Sequence, residues 1–179
     1  MSTRSLTAVV IVIIAVAGYA VGVAQETPNL GRSATPAEIA GWDSSIPPDG
    51  AGLPPGSGTP EQGAVVYTQK CQACHGEKGA GKPNDQLVGG QGTLASQSPV
   101  RTIGSYWPYA TTVFDYVRRA MPYTQPRSLT DAEVYAVTAY LLHLNGIIGA
   151  QDAMNAQTLP KVKMPNHDNF ILAYPIKPR

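Results

Sequence analysis

The sequence predicts an all-α protein of three or four short helices spread over about 90 residues. Three segments place apolar side chains at helical spacing, and no segment shows the sustained alternation of a β-strand or an internal repeat. The chain has only two cysteines, and both fall in one pentapeptide. Two cysteines are too few for a disulfide-rich scaffold or an iron–sulfur cluster, so another role must explain them.

The first predicted helix begins after Pro60, which suits a helix start, and carries the stretch GAVVYTQKC from Gly63 to the first cysteine. Gly63 and Tyr67 lie four residues apart and therefore share a face of this helix. Tyr140 lies on the last predicted helix. We therefore expect the two helices to cross closely, with a small residue opposite an aromatic one.

The second predicted helix is the short segment TTVFDYVRRA, Thr111–Ala120. A glycine-rich loop, residues 76–92, lies between it and the first helix. Met121-Pro122 ends the second helix, because a proline disfavours helical geometry in the residue before it.

The clearest helical pattern lies between Ser128 and Asn145. Thr130 and Glu133 have the spacing of a capping box at its start, and Gly146 follows as a stop signal. Four apolar side chains share one face of this helix: Val134, Val137, Leu141 and Leu144.

The segments outside the helical region, residues 61–149, differ from it in composition. Residues 25–60 contain 7 Pro and 6 Gly, which disfavours both helix and sheet and predicts an arm or linker. Residues 150–179 show no long periodicity and predict an extended tail. We expect the arm and the tail to wrap the helical domain or to dock a partner.

Residues 1–24 have the pattern of an export signal. Arg4 precedes an apolar run over residues 6–24, and small residues just before Gln25 suit cleavage there. The run also approaches the ~20 residues that span a bilayer, so an uncleaved transmembrane anchor is the alternative. Both interpretations place the rest of the chain in the periplasm, either soluble or tethered.

The charge balance excludes some classes of partner. The chain has 13 Lys+Arg against 12 Asp+Glu, a formal net charge of +1. A nucleic-acid-binding protein would be more basic, so no nucleic-acid partner is expected.

Both cysteines lie in Cys71-Gln72-Ala73-Cys74-His75, and C-x-x-C-H is the attachment pattern for c-type haem. On a helical turn Cys71 and Cys74 point to one side, where they can form thioethers to the two haem vinyl groups. His75 then brings an imidazole nitrogen beneath the iron. The pattern therefore predicts one covalent haem c.

Three other chemistries use a pair of cysteines at this spacing: a redox dithiol, half of a zinc site and a local disulfide. A dithiol oxidoreductase favours a preceding strand and a βαβ context, which the sequence lacks. Zinc would need a fourth ligand, and only His143 and His167 remain to supply a histidine. We interpret both as ordinary surface or core histidines.

The sixth ligand of the iron decides between electron carriage and ligand chemistry, and a methionine thioether opposite histidine raises the potential and closes the site. Met121 lies in AMPYTQP, where Pro122 and Pro126 stiffen a loop between two helices, so it is the predicted ligand. Met164 is the weaker alternative, and Met154 is interpreted as an apolar contact.

Other residues are candidates for supporting roles around the haem. The backbone carbonyl of Pro83 is expected to orient His75 through its other ring nitrogen, a role that any loop carbonyl could fill. The aromatic stretch Ser105–Tyr109 could wall the haem edge, with Arg101 reaching the propionates, or could simply pack.

Taken together, CQACHG, an upstream GxxxY and a downstream MP followed by a helix resemble class I c-type cytochromes over about residues 61–149. The stretches LGRSATPAEIAGWDSSIPPDGAGLPPGSG, LVGGQGTLAS and LPKVKMPNHDNF are more specific. With the helical region between them, they resemble the cytochrome subunit of periplasmic Sox-type sulfite and sulfane dehydrogenases, over roughly residues 30–170.

The resemblance implies a class I cytochrome c fold around one haem. It implies that Cys71 and Cys74 hold the haem, that His75 is the proximal ligand and that Met121 is the distal one. It also implies a separate molybdenum-cofactor dehydrogenase subunit that oxidises the sulfur compound, while the cytochrome passes single electrons to a downstream acceptor and is itself not catalytic.

Two alternative functions remain open from the sequence. One is a haem enzyme that acts directly on a sulfur compound, which would need an open or weakly ligated iron. The other is a membrane-tethered electron shuttle of a respiratory or photosynthetic chain, which retention of residues 1–24 would favour.

Overall fold

The computed structural model describes residues 30–171 and residue 174. The predicted leader, residues 1–24, lies outside this range. Among the helices in the described part of the chain, none is long and apolar enough to cross a membrane. Cleavage of the leader and its retention as an anchor therefore both stay predictions.

The architecture is helical, with one minimal sheet. The α-helices are α1 (Pro36–Trp42), α2 (Pro60–Lys70), α3 (Gln72–His75), α4 (Ala110–Ala120) and α5 (Asp131–Leu144). Strands β1 (Ser57–Gly58) and β2 (Met154–Asn155) pair antiparallel, with Ser57 opposite Asn155 and Gly58 opposite Met154. Single 3-10 turns occupy Glu77–Gly79, Leu159–Lys161 and His167–Asn169. The predicted all-α class is confirmed.

The ends of the main helices follow the signals in the sequence. Thr59 caps α2, and Pro60 occupies its first turn. The side chain of Thr130 accepts the N–H of Glu133 at the start of α5, and the Glu133 carboxylate accepts the N–H of Thr130, as a capping box requires. Helix α4 ends where Met121 becomes extended, at φ −119° and ψ 148°, ahead of Pro122.

Helices α2 and α5 cross at Gly63, as predicted. A Cβ at this position would lie 1.9 Å from the carbonyl oxygen of Ala136, so only a glycine permits the contact. The rings of Tyr67 and Tyr140 meet beside the crossing, with their centroids 5.4 Å apart. This junction fixes the direction in which α2 delivers the chain to the first cysteine.

The arm contains a helix that its composition did not predict. The Thr35 side chain accepts the N–H of Glu38, whose carboxylate accepts the N–H of Thr35 in return. Arg32 pairs with the same carboxylate and, with these hydrogen bonds, lowers the pKa of Glu38 to about 2. Most of the prolines and glycines of the arm lie at or after Pro47, whereas α1 lies before it. The capping box at Thr35 can therefore start a helix in this part of the arm.

The compact unit that contains the cysteines begins at Ser44 rather than at Glu61. Ile46 is buried in its core, and the hydroxyl of Tyr135 on α5 donates to the carbonyl of Pro54 at 2.9 Å. At Gly58 an added Cβ would lie 2.2 Å from the backbone nitrogen of Ala136. The second half of the arm therefore belongs to the core, which a count of prolines and glycines cannot reveal.

The segment after α5 also contributes to the core instead of running as a plain extended tail. Met154, Leu159 and Met164 are all buried. Tyr109, just before α4, forms an isolated β-bridge with Lys163. These three apolar side chains belong to the same hydrophobic core as the helices, and they attach the tail to it.

Candidate haem site

The pentapeptide with the cysteines occupies one helical turn. Cys71 ends α2, with its N–H donated to the carbonyl of Tyr67 at 2.9 Å, and it also begins α3. The N–H groups of Cys74 and His75 both donate to the carbonyl of Cys71, at 3.1 and 2.9 Å. Residues three apart on such a turn share a face. The backbone therefore presents the two sulfur atoms to one side, as two thioethers to a single porphyrin require.

The environment of the cysteines does not favour a redox dithiol. Cys71 is partly buried against the core and Cys74 is exposed, and the two are not joined in a disulfide. Burial raises the pKa of the Cys71 thiol to about 11. A dithiol oxidoreductase instead needs a cysteine whose pKa is lowered, so that the thiolate is available.

Zinc is not favoured either. Within the part of the chain that the structure describes, no group of three or more His, Cys, Asp or Glu side chains is arranged to hold a metal ion. The other candidate histidines have local contacts: His143 Nδ1 lies 3.3 Å from the carbonyl of Ile148, and His167 Nδ1 lies 2.5 Å from the carboxylate of Asp168.

The orientation of His75 is set by a backbone carbonyl. Its Nδ1 lies 2.8 Å from the carbonyl oxygen of Asp85, and because a carbonyl only accepts, Nδ1 carries the proton. Nε2 is then the nitrogen with a free lone pair, and an iron ligand needs this tautomer. The expectation that Pro83 supplies the carbonyl is wrong, since Asp85 does.

The loop after His75 explains why Asp85 is in place. The N–H of Gly81 donates to the carbonyl of His75, and the N–H of Asn84 donates to the carbonyl of Cys74, both at 2.8 Å. These bonds fold the loop back onto α3, which brings the next carbonyl, that of Asp85, to the imidazole. No sequence signal in this glycine-rich stretch singles out Asp85.

Asn145 fixes the far end of the same loop. The sequence predicts only the end of a helix at this residue. Its side-chain oxygen accepts the N–H of Gly89 at 2.9 Å, while its amide nitrogen donates to the carbonyls of Leu87 and Leu141, at 3.3 and 2.8 Å. Gly104 packs so closely that a Cβ there would lie 2.1 Å from the Asn145 side-chain oxygen. The loop is thereby attached to the end of α5.

The three candidate methionines differ in burial. Met121 caps the C-terminus of α4, donates its N–H to the carbonyl of Val117 at 3.1 Å and is only partly buried. Met164 and Met154 are 1% and 4% exposed and belong to the core. Met121 therefore keeps a surface that a cofactor can contact, whereas the other two are already enclosed by protein.

The aromatic stretch before α4 is engaged in packing. The guanidinium carbon of Arg101 lies 5.6 Å from the centroid of the Tyr106 ring, and Trp107 meets Tyr116 edge-on at 5.8 Å. Tyr106 in turn contacts Phe170. A contact from Arg101 to a propionate stays a prediction.

These residues fit a covalent haem. His75 has a free nitrogen of the required tautomer, and the helical turn groups the two sulfur atoms. Several apolar side chains are only partly buried against the core and suit the faces of a porphyrin: Leu87, Trp107, Met121, Tyr140, Ile147 and Ile148. The fold and the site together define a class I c-type cytochrome.

Comparisons with known proteins agree. Residues 60–145 match the family model of cytochrome c. A chain in the crystal structure of the sulfane dehydrogenase SoxCD from Paracoccus pantotrophus is 41% identical and superposes with a TM-score of 0.75, a match that covers 81% of this chain and 72% of that one. A thiosulfate dehydrogenase of Psychrobacter arcticus is 27% identical over 84 residues, which cover 47% of this chain and only 25% of that protein.

The chain belongs to the class I c-type cytochromes of the Sox type. It is a haem electron carrier, and its cofactor is covalent haem c.

Proposed function

We propose that this cytochrome accepts single electrons from a molybdenum-cofactor sulfite or sulfane dehydrogenase subunit and passes them to a downstream acceptor. The observation that carries the proposal is the similarity to the SoxCD chain, which extends over 81% of this sequence and so beyond the cytochrome c region, residues 60–145. The bound haem supplies one-electron chemistry, the Fe(III)/Fe(II) couple. The protein itself contributes attachment, ligands and a surface for the partner.

Four residues have assigned roles in this proposal. Cys71 and Cys74 form the thioethers, and His75 ligates the iron through Nε2 while Asp85 holds Nδ1. Met121 closes the opposite face. A thioether is a soft ligand that favours reduced iron, so it raises the potential enough to draw electrons from sulfur oxidation. With His75 and Met121 as its two protein ligands, the haem would be suited to electron transfer rather than to binding a substrate at the iron.

The experiment mixes the purified holoprotein with its molybdenum dehydrogenase and a sulfite or sulfane substrate, and follows haem reduction by stopped flow. We expect reduction that depends on all three components. The control omits the dehydrogenase. Haem reduction by the sulfur compound alone, at the same rate, would contradict the proposed role.

A second candidate function is direct chemistry on a sulfur compound at the haem, which the similarity to a thiosulfate dehydrogenase favours. This function requires an iron that exogenous ligands can reach. Carbon monoxide added to the reduced wild type distinguishes the two, because a closed methionine-ligated site resists it and an open site binds it at once.

We also propose a periplasmic location, on the basis of Arg4 and the apolar run over residues 6–24. Sequencing the N-terminus of the protein from each cell fraction tests it. A start at Gln25 in a soluble pool indicates cleavage, and an intact Met1 in the membrane fraction indicates an anchor. Cytoplasmic protein with unmodified cysteines would contradict both.

A further inference from the structure

We infer that the arm segment Ser44–Ile46 positions the distal methionine by holding both α4 and the loop that follows it. The inference rests on the proposed role of Met121 as iron ligand. It assigns a specific function to part of the segment that the sequence predicted to be an arm or linker.

The first attachment is Asp115, a carboxylate on α4 that is 6% exposed. It accepts the backbone N–H of Ile46 at 3.0 Å. Arg119, one turn further along α4, donates to it through Nε at 2.9 Å and through a terminal nitrogen. A buried carboxylate needs all its partners, so these bonds tie the arm to the middle of α4.

The side chain of Ile46 reinforces this attachment. It is 6% exposed and packs in the hydrophobic core. Ile46 is therefore held by its side chain as well as by its backbone N–H. Two residues on, the carbonyl of Pro48 accepts the hydroxyl of Thr111, near the start of α4, at 3.3 Å. The arm therefore follows α4 from its first turn to its middle.

The second attachment is on the loop after Met121. The guanidinium of Arg127 donates to the side-chain oxygen of Ser44 at 3.2 Å. The other bonds of this loop are short-range turns, from Gln125 to Pro122 and from Ser128 to Gln125. Its residues from Tyr123 to Ser128 are exposed, so burial does little to order them.

Met121 lies between these two attachments. Asp115 precedes it by six residues and Arg127 follows it by six, and they bond to Ile46 and Ser44 of the same short stretch of arm. Displacing Ser44–Ile46 would loosen α4 and the loop together. The backbone that carries the Met121 thioether would then be less ordered on both sides of this residue.

The test compares matched variants of the full-length holoprotein. Ser44→Ala removes the acceptor for Arg127, and Ser45→Ala alters the exposed neighbour. Asp115→Asn weakens the contacts with Arg119 and Ile46, and Asp49→Asn makes the same exchange at a carboxylate that accepts only the nearby N–H of Ala51. Ser44→Thr keeps the hydroxyl oxygen and serves as the rescue.

Two readouts report on the loop. Amide hydrogen exchange over residues 121–129 measures its order directly, and the sulfur-to-iron charge-transfer band of the oxidised protein, followed as pH rises, measures how firmly methionine stays bound. For Ser44→Ala and Asp115→Asn we expect about tenfold faster exchange, the factor that corresponds to one lost hydrogen bond, and loss of the band at lower pH. The two control variants and Ser44→Thr should match the wild type.

The outcomes separate this inference from the assignment of Met121. If the wild type lacks the charge-transfer band, the ligand assignment is wrong and the positioning role falls with it. If the band is present, but Ser44→Ala exchanges and titrates as Ser45→Ala does, the positioning role alone is wrong. Should Asp115→Asn not fold, the comparison of Ser44→Ala with Ser44→Thr still decides.

Discussion

Replacing Gly63 by alanine tests the helix crossing on which the haem attachment depends. The added Cβ would lie 1.9 Å from the carbonyl oxygen of Ala136 and 2.7 Å from the Cβ of Tyr140. The oxygen belongs to the backbone of α5 and cannot rotate away. Helices α2 and α5 must therefore move apart, and α2 carries Cys71 at its end.

Two opposing terms set the size of the effect. Alanine is a better helix former than glycine by about 1 kcal/mol. Overpacking in a tight core costs about 1–3 kcal/mol, and more where no side chain can give way. The contact distance must grow from 1.9 Å to about 3.2 Å or more, so the upper end applies. We expect a net loss of about 2 kcal/mol, which corresponds to about 4–8 °C in the melting temperature.

The assay is guanidinium unfolding of the wild-type and Gly63→Ala holoproteins, followed by far-UV circular dichroism and by haem absorbance. Ala64→Gly, at the next position of α2, measures the propensity term without a clash. The stability lost in Ala64→Gly measures the helix propensity that Gly63→Ala gains. Adding this value to the stability lost in Gly63→Ala yields the steric cost alone. A Gly63→Ala protein as stable as the wild type would show that α2 and α5 do not cross as closely as described.

Three further predictions concern the haem and its surroundings. The denatured protein should keep its haem and have the mass of the polypeptide plus one haem, whereas a polypeptide mass without an adduct would refute attachment at Cys71 and Cys74. In Met121→Ala the charge-transfer band should disappear, carbon monoxide should bind the reduced form and the reduction potential should fall. Met164→Ala should keep the band and lose about 2–5 kcal/mol of stability. The reverse pattern, measured by spectroscopy and denaturation, would make Met164 the ligand. Burial raises the pKa of Tyr67 to about 12, above the ordinary tyrosine value of about 10, so the folded state holds this proton more tightly than the unfolded chain. Its contribution to stability should be complete below about pH 10 and should fall as pH rises toward 12, and in Tyr67→Phe unfolding curves between these limits should show a smaller decline.

The sequence predicted those parts of the fold that local chemistry decides. A cap at Thr130 and a proline after Met121 act within one helical turn, and the structure has helix ends at both places. The crossing at Gly63 could also be predicted from the sequence. A glycine and an aromatic residue on one helix face, opposite a second aromatic residue, limit the ways in which two helices can pack.

The arm and the loop could not be predicted in the same way, because their order comes from contacts distant in the chain. Ile46 is fixed by Asp115, and Pro54 by Tyr135. Proline and glycine content describes the freedom of the unfolded chain, and it says nothing about such partners. The hydrogen bond from His75 to the carbonyl of Asp85 could not be predicted for the same reason. All backbone carbonyls of the loop are chemically alike, and only the folded loop selects this one.

The packing of the tail also bears on which methionine reaches the iron. Met164 follows Lys163, whose bridge to Tyr109 lies at the start of α4, whereas Met121 lies at its end, about 16 Å away along an eleven-residue helix. If His75 holds the iron, only one of the two methionines would serve as the second protein ligand. Withdrawing Met164 from the core would leave a cavity that costs about 2–5 kcal/mol, whereas Met121 is already partly exposed at an extended residue. The lower cost in stability supports the proposal that Met121, rather than Met164, is the iron ligand.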